Sequence, residues 1–326
     1  MPGTTPEEVR VGLIGLGLMG TSIAACLLSA GHPVSAVERD ASRRKSARRR
    51  VRALLAASRK EGLLKDDPST LVRQLAAQEG YASLEGCQLV IESATEDLQL
   101  KRGVIRDVED VVSSRAIIGT NTSGLPVTDL QSGARHPERI LGIHWAEPAH
   151  ITRFMEVVCG EQTSLTCARR VLSLARHWGK EPSLLRRDLR GFIANRIMYA
   201  MLREAFYLVE SGYATIEDVD RSLRNDMGYW ITFAGPFRFM DLTGIPAYAA
   251  VMQGLFPELN CSVKVPGLMR KVVASGARGV SNAKGFYRYT PAAALRWEKQ
   301  FLKFSYEIRR LARKYSEDAG GSNDYY

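Results

Sequence analysis

Residues 11–20 read VGLIGLGLMG, and this short stretch decides the fold of the first half of the chain. Its apolar start predicts a buried strand, and the residues that follow predict a helix. Gly15, Gly17 and Gly20 stand at the junction with the spacing of a dinucleotide-binding fingerprint. In that fingerprint the first glycine permits a tight turn and the second leaves room for a pyrophosphate at the helix N-terminus. The third lets the helix and the strand pack closely.

A carboxylate at the end of the next predicted strand indicates which dinucleotide binds. Glu38 ends the run PVSAVE and can accept both ribose hydroxyl groups of NAD, whereas it would repel the 2′-phosphate of NADP. Arg39 could pair with that phosphate, but Glu38 is the stronger determinant. We therefore expect NAD as the cofactor, with Leu18, Met19 and Arg39 as further cofactor contacts.

Outward from the fingerprint, short apolar runs alternate with amphipathic stretches as far as residue 180. Strands are predicted at 10–14, 33–38, 88–92, 116–120, 140–144 and 154–159, and helices at 18–30, 41–60, 71–79, 97–112 and 163–178. This alternation predicts an α/β, Rossmann-like doubly wound sheet.

The alternation of predicted strands and helices ends near residue 180. Long stretches with little β-branching, the first at 192–210, predict an all-α C-terminal domain. We expect an NAD-binding Rossmann domain at 1–187, a helical substrate domain at 188–315, and a disordered Gly/Ser/Asp-rich tail at 316–326.

Most of the positive charge lies in one segment. The net charge is +10, and residues 41–60 hold nine basic residues and no acidic one, which leaves about +1 for the rest of the chain. A protein that coats nucleic acid draws its charge from many places, so we expect no nucleic-acid partner. Such a segment most often forms a solvent-exposed face of a helix. The functional alternative is a binding site for a phosphorylated carrier such as coenzyme A.

Two further compositional features exclude other classes. No apolar run approaches the ~20 residues that span a bilayer, so we expect no membrane partner. The five cysteines are widely spaced, at neither metal nor redox spacing, which indicates reduced thiols in a cytoplasmic protein without a metal site.

A histidine and a glutamate are the candidates for proton transfer. In an open α/β sheet the crevice lies at the carboxyl ends of the strands, so Ser123 and His144 should share a rim with Gly17. Glu156 lies among apolar neighbours, where a buried carboxylate needs a partner, and His144 on the adjacent strand is the candidate. Either residue alone would be interpreted as structural. Together they could remove an alcohol proton while NAD takes the hydride.

These segments together resemble the L-3-hydroxyacyl-CoA dehydrogenase family over roughly residues 9–289. The shared features are the glycine fingerprint, Glu96 with Lys101, NTS at 121–123, a His…Pro…Glu segment at 144–156, GFIANR at 191–196 and KGFYRY at 284–289. The resemblance implies four catalytic residues, namely a general base, its orienting partner and two that hydrogen-bond the substrate oxygen: His144, Glu156, Ser123 and Asn195. It also implies further cofactor contacts, the first two at the nicotinamide half: Glu96, Lys101 and Asn121. The helical second domain is implied to form a homodimer.

Three departures from the family bear on the substrate. Glu147 precedes Pro148 where the family usually has Asn-Pro, which makes Glu147 a candidate substrate contact. The segment between Glu38 and Glu96 is somewhat shorter than in acyl-CoA-specific members, and the predicted helix at 291–315 extends past the family's usual end. The segment HWAEPAH also resembles branches that act on small free acids, including gulonate and carnitine dehydrogenases and a dehydrogenase of vitamin B6 breakdown.

The predicted activity is NAD-dependent oxidation of a secondary alcohol to a ketone. We expect a 3-hydroxyacyl-CoA as the first candidate substrate. A small free hydroxy acid, or a hydroxymethyl or formyl heteroaromatic acid, is the alternative. A sensor or structural protein that binds NAD without turnover is the alternative of another class, and retention of all four implied catalytic residues argues against it.

Overall fold

Eight strands form a single sheet. The computed structural model describes residues 5–315, and its strands are β1 (Val11–Ile14), β2 (Val34–Val37), β3 (Leu75–Gln78), β4 (Leu89–Glu92), β5 (Ile117–Thr120), β6 (Ile140–Trp145), β7 (Phe154–Cys159) and β8 (Glu181–Leu185). The sheet order is β3-β2-β1-β4-β5-β6-β7-β8. Neighbouring strands are parallel except β6 and β7, so β7 and β8 run opposite to the other six. The predicted Rossmann-like sheet is confirmed, with an antiparallel element in its second half.

Helices cover both faces of this sheet. They are α1 (Leu18–Ser29), α2 (Ala41–Lys60), α3 (Pro68–Leu71), α4 (Leu98–Glu109), α5 (Val127–Gln131) and α6 (Leu165–His177). Apolar residues of α1, α2 and α6 pack with Val11 and Leu13 in one core, and those of α4 and α5 pack with Ile14 and Val90 in another. Because both faces are covered, the central strands are buried along their whole length and their sequences are continuous apolar runs.

The helix predicted at 71–79 is wrong. This segment continues from α3 through a 3-10 turn into β3, the edge strand of the sheet. Leu75 pairs with Val34, and Gln78 pairs with Val37, in parallel register. Leucine, alanine and glutamine favour helix locally, but the hydrogen bonds and burial that β2 offers outweigh that propensity.

The remaining elements are helical. They are α7 (Ala194–Glu210), α8 (Ile216–Asn225), α9 (Met227–Trp230), α10 (Pro236–Thr243), α11 (Ile245–Leu255), α12 (Gly267–Ala274) and α13 (Pro291–Tyr315). This confirms the predicted all-α region. Among the described residues after 196, four are buried: Val219, Ala234, Ala294 and Tyr306. The first part of the chain, in contrast, holds extensive apolar cores.

Packing divides the chain into two compact units, Met1–Arg196 and Ile197–Tyr326. The predicted domain boundary at 187/188 lies before α7, and the division lies within α7. The predicted tail at 316–326 lies outside the described residues. None of the described helices combines the length and the apolar character needed to cross a membrane.

Candidate active site

The glycine-rich loop joins β1 to α1 at the carboxyl edge of the sheet. Gly15 has a φ of 88°, in the left-handed region that favours glycine, and an added Cβ would approach Ser93 O to 2.6 Å. A Cβ on Gly20 would overlap the carbonyl oxygen of Gly15. A Cβ on Gly17 would meet no described atom within 4 Å. The loop therefore packs tightly at Gly15 and Gly20. It leaves open space at Gly17, next to the α1 N-terminus, as a bound pyrophosphate requires.

A cavity of about 440 Å³ opens beside this loop, and Gly15, Gly17, Glu38 and Arg39 are among the residues that line it. Glu38 Oε2 accepts a hydrogen bond from Leu16 N at 2.8 Å, and Oε1 accepts one from the backbone N–H of Asp40 at 2.9 Å. Each carboxylate oxygen can accept a second hydrogen bond, so Glu38 can still receive ribose hydroxyl groups. The residues present fit NAD.

Three arginines of α2 donate hydrogen bonds to backbone carbonyl groups of neighbouring segments. Arg50 Nη2 donates to the carbonyl oxygen of Leu16 at 2.7 Å, within the glycine-rich loop. Arg44 Nη1 donates to the carbonyl oxygen of Glu38 at 2.5 Å, and Arg48 Nε donates to that of Leu75 at 3.0 Å. Part of the charge in the basic segment is therefore used within the fold. The sequence reasoning missed this role because residues 16 and 50 meet only through the packing of α2.

Lys101 is fully buried, and its main partner differs from the implied one. Its Nζ lies 2.7 and 2.9 Å from the two carboxylate oxygens of Glu92 and 3.5 Å from Glu96 Oε2. Thr120 Oγ1 donates to Glu92 Oε2 at 2.6 Å, and the backbone N–H of Ala94 donates to Oε1 at 2.6 Å. Glu92 therefore neutralises and positions Lys101, as a buried charge requires. Sequence reasoning missed this role of Glu92, because Glu92 lies on β4 and Lys101 on α4 and they meet only through the packing of the helix on the sheet.

Glu96 connects this ion pair to the predicted substrate contacts. Its Oε1 accepts hydrogen bonds from Thr122 Oγ1 at 2.6 Å and from the backbone N–H of Ser123 at 2.9 Å. Asn195 Nδ2 in turn donates to the carbonyl oxygen of Ser123 at 2.8 Å. The structure thus brings Glu96, Ser123 and Asn195 together from three distant parts of the sequence.

The predicted histidine–glutamate pair is present. His144 on β6 and Glu156 on β7 are register partners, and His144 Nδ1 lies 2.7 Å from Glu156 Oε2. The other oxygen of Glu156 accepts hydrogen bonds from the backbone N–H groups of Ile193 at 3.1 Å and Ala194 at 2.9 Å. A turn with Phe192 at a φ of 52° delivers these two N–H groups. The start of α7 and the proton-transfer pair are therefore one hydrogen-bonded unit.

The environment of the pair fixes its charge distribution. Burial alone would raise the pKa of Glu156, but the hydrogen bonds from His144 and from the N–H of Ala194 prevail and hold the pKa below its ordinary value. A carboxylate only accepts hydrogen bonds, so Nδ1 of His144 carries a hydrogen, and in the neutral imidazole the lone pair therefore lies on Nε2. The rings of Phe154 and Phe192 pack edge-on against the imidazole at 5.4 and 5.5 Å.

The other predicted site residues have diverse surroundings. Asn121 Oδ1 accepts from the N–H of Trp145 at 3.0 Å, and its Nδ2 donates to Ser93 Oγ at 3.2 Å, so its amide joins neighbouring strand ends. Glu147 is exposed to solvent at its surface. Desolvation of its carboxyl group by the surrounding protein raises its pKa, and a hydrogen bond from the N–H of Ala149 opposes this effect only in part. Leu18 and Met19 lie in the first turn of α1.

Family models match both parts of the chain. The model described as "3-hydroxyacyl-CoA dehydrogenase, NAD binding domain" matches residues 10–188. The model described as "3-hydroxyacyl-CoA dehydrogenase, C-terminal domain" matches residues 191–289. The helix α13 begins directly after the second match.

Two individual relatives with different names match most of the chain. 5-Formyl-3-hydroxy-2-methylpyridine 4-carboxylate 5-dehydrogenase of Mesorhizobium japonicum is 30% identical over 93% of this chain and 97% of its own length. A probable 3-hydroxybutyryl-CoA dehydrogenase of Deinococcus radiodurans is also 30% identical, over 86% of this chain and 100% of its own length. A crystal structure of 5-formyl-3-hydroxy-2-methylpyridine 4-carboxylic acid 5-dehydrogenase, described as an NAD+-dependent dismutase, has a TM-score of 0.87 and 30% identity. It covers 94% of this chain and 99% of that chain.

Proposed function

Because the chain belongs to the 3-hydroxyacyl-CoA dehydrogenase family, we propose that His144 and Glu156 perform its proton transfer. The chain is an NAD-dependent oxidoreductase that acts on CH–OH groups. The observation that carries the proposal is the 2.7 Å contact between Nδ1 of His144 and Oε2 of Glu156, which leaves Nε2 available as a base. The alcohol proton passes to Nε2, and the imidazolium that forms is stabilised by the Glu156 carboxylate.

The remaining site residues orient the reacting groups. NAD, when bound at the glycine-rich loop, supplies the acceptor for the hydride that leaves the carbinol carbon as its C–O bond becomes C=O. Ser123 and Asn195 hold the substrate oxygen, and Asn195 is itself positioned by its bond to Ser123 O. Lys101, held by Glu92, and Glu96 contact the nicotinamide half. Asn121 supports this rim by joining the ends of β5 and β6.

For the substrate, we propose a small free acid that bears a hydroxyl or formyl group, ahead of the acyl-CoA expected first from the sequence. A formyl group becomes a CH–OH group when hydrated, so the same base serves both. The free acid in the name of the M. japonicum relative supports this choice, and so does the TM-score of 0.87 to the crystal structure of an enzyme of that name. The internal bonds of Arg44, Arg48 and Arg50 support it too, since they occupy side chains that were candidates for gripping coenzyme A.

A 3-hydroxyacyl-CoA is the second candidate. The D. radiodurans relative supports it at equal identity over 86% of the chain. Arg49 and Arg52 on α2 are exposed and remain available for a phosphate. Glu147 is a proposed substrate contact in either case, because it follows His144 by three residues on the loop after β6.

Substrate profiling separates the candidates. The purified chain is mixed with NAD and with 3-hydroxybutyryl-CoA, free 3-hydroxybutyrate, or a hydroxymethyl or formyl pyridine carboxylate, and NADH is followed by its near-ultraviolet absorbance. We expect kcat/KM for one of the free acids to exceed that for the acyl-CoA at least tenfold. The reverse order would establish the acyl-CoA activity. Binding of NADH without turnover of any substrate would favour a sensor.

We also propose that the enzyme is a cytoplasmic homodimer. The family resemblance supports the dimer, and the scarcity of buried residues among the described part of the second unit supports it further, because exposed apolar surface favours association. The free thiols of Cys26, Cys87 and Cys159 in the core support a reducing compartment.

A further inference from the structure

Helix α13 carries a continuous apolar stripe that the family models do not include. Its members follow one another at intervals of 4, 3, 4, 3 and 4 residues, which is the seam pattern of helices that pack in pairs. They are Trp297, Phe301, Phe304, Ile308, Leu311 and Tyr315. We call this set the α13 stripe. Tyr306 lies on the opposite side of the helix and is buried, so the helix is anchored by the face that the stripe leaves free.

The two halves of the α13 stripe have different surroundings. Trp297, Phe301 and Phe304 are 56%, 59% and 56% exposed, which is unusual for three neighbouring aromatic residues. The second half of the stripe lines an open apolar cavity of about 390 Å³ within the same unit, together with Trp230 and Phe233. One end of the helix thus presents projecting aromatic side chains, and the other end presents a space that can receive them.

The spacing of the α13 stripe reads the same in both directions about residue 306. If a second copy of α13 packs antiparallel, Trp297 of one copy faces Tyr315 of the other, Phe301 faces Leu311, and Phe304 faces Ile308. A twofold interface requires this self-complementarity, since the same patch must meet itself. We propose that the α13 stripes of two copies pack antiparallel, so that Trp297 and Phe301 of each copy fill the cavity of the other.

The exposed area of the α13 stripe is close to the lower limit for such an interface. Aromatic side chains offer about 150–250 Å² each. The half-exposed aromatic residues of the α13 stripe therefore leave on the order of 400 Å² uncovered in each copy. Two copies, with Leu311 added, approach the roughly 1,000 Å² that is the lower limit for a specific interface. Basic residues such as Lys299, Lys303 and Arg310 flank the stripe, so binding of α13 to an anionic membrane surface is the competing arrangement.

This inference rests on the proposed homodimer and specifies where its contact lies. Mass is measured by analytical ultracentrifugation for the wild type, for Phe301→Glu/Phe304→Glu, and for the control Gln300→Glu/Lys303→Gln. The control changes the charge equally at exposed positions of the same helix outside the stripe. We expect the stripe variant to dissociate at concentrations at least a hundredfold higher than the control, because aromatic anchors dominate interfaces and each is lost twice. Circular dichroism confirms that both variants are folded.

Crosslinking tests the register directly. In a Cys261→Ser background, Phe301→Cys/Leu311→Cys is treated with a short bis-maleimide. Within one helix these positions lie about 15 Å apart, so only two antiparallel copies bring them together. The single variants Phe301→Cys and Leu311→Cys are the controls, since the proposed packing separates identical positions by the same ~15 Å. We expect covalent dimers from the double variant alone.

Each other outcome overturns the inference. A wild-type dimer whose stripe variant stays dimeric and whose double-cysteine variant does not crosslink would place the contact elsewhere and leave the proposed dimer standing. A monomeric wild type that sediments with anionic phospholipid vesicles would replace both proposals with membrane binding by α13. NADH formation is measured on the same samples, so loss of the enzymatic proposal is seen separately.

Discussion

His144 and Glu156 face each other across the antiparallel pair β6–β7, with Nδ1 and Oε2 2.7 Å apart. The reversal of chain direction between these strands places side chains twelve residues apart in direct register. The same carboxylate also binds the N–H groups that begin α7. A single buried glutamate therefore orients the His144 imidazole and fixes the segment that carries Asn195.

Replacement of the proposed base should lower kcat without weakening cofactor binding. We expect His144→Ala to lower kcat by ~10²–10⁴, because general-base catalysis contributes about this much. NADH affinity, measured by fluorescence titration, should stay within about threefold of wild type since His144 lies outside the cavity beside the glycine-rich loop. Full activity in this variant would contradict the proposed mechanism.

The Glu156 carboxylate should stabilise the fold in a pH-dependent way. Its pKa in the folded protein lies below the ordinary value of 4.5, so the folded state binds this proton less readily than the unfolded state. The stabilisation is complete above that ordinary value and is lost as pH falls through the folded-state pKa. In urea unfolding, the difference between wild type and Glu156→Gln should shrink below about pH 4.5. Exposed Glu85→Gln is the control, and a constant difference would count against the prediction.

Arg50 should act on cofactor binding. Its bond to the Leu16 carbonyl holds the glycine-rich loop, so Arg50→Gln should raise KM for NAD about tenfold with little change in kcat. Arg50→Lys should restore part of the loss, because a lysine keeps one charged donor. The exposed neighbour Arg49→Gln is the matched control. Equal effects at positions 49 and 50 would show that net charge, rather than the loop contact, governs NAD binding.

Glu38 should set the choice between NAD and NADP. The wild type is expected to prefer NAD, since the carboxylate repels a 2′-phosphate. Glu38→Gln should narrow the NAD:NADP ratio of kcat/KM at least tenfold, because Arg39 and Arg43 already line the same cavity. Adding Arg43→Gln should reverse the gain with NADP. An unchanged ratio in Glu38→Gln would mean that the carboxylate does not select the cofactor.

The sequence predicted correctly those features that depend on residues close together along the chain. The glycines at 15, 17 and 20 have backbone and steric requirements that few other residues meet, so their spacing predicted the loop and the surrounding sheet. The helix predicted at 71–79 failed because pairing with β2 is a long-range contact that overrides local propensity.

The sequence by itself determined six of the eight strands, the glycine-rich loop and the candidacy of His144 and Glu156, because strand periodicity and the cost of a lone buried carboxylate can be recognised along the chain. Tertiary structure alone decided that Glu92 is the main partner of Lys101 and that Arg50 holds Leu16. These contacts join residues on different elements, and their partners depend on how α2 and α4 pack on the sheet. The order of residues along the chain does not reveal which side chains on different elements come within hydrogen-bond distance.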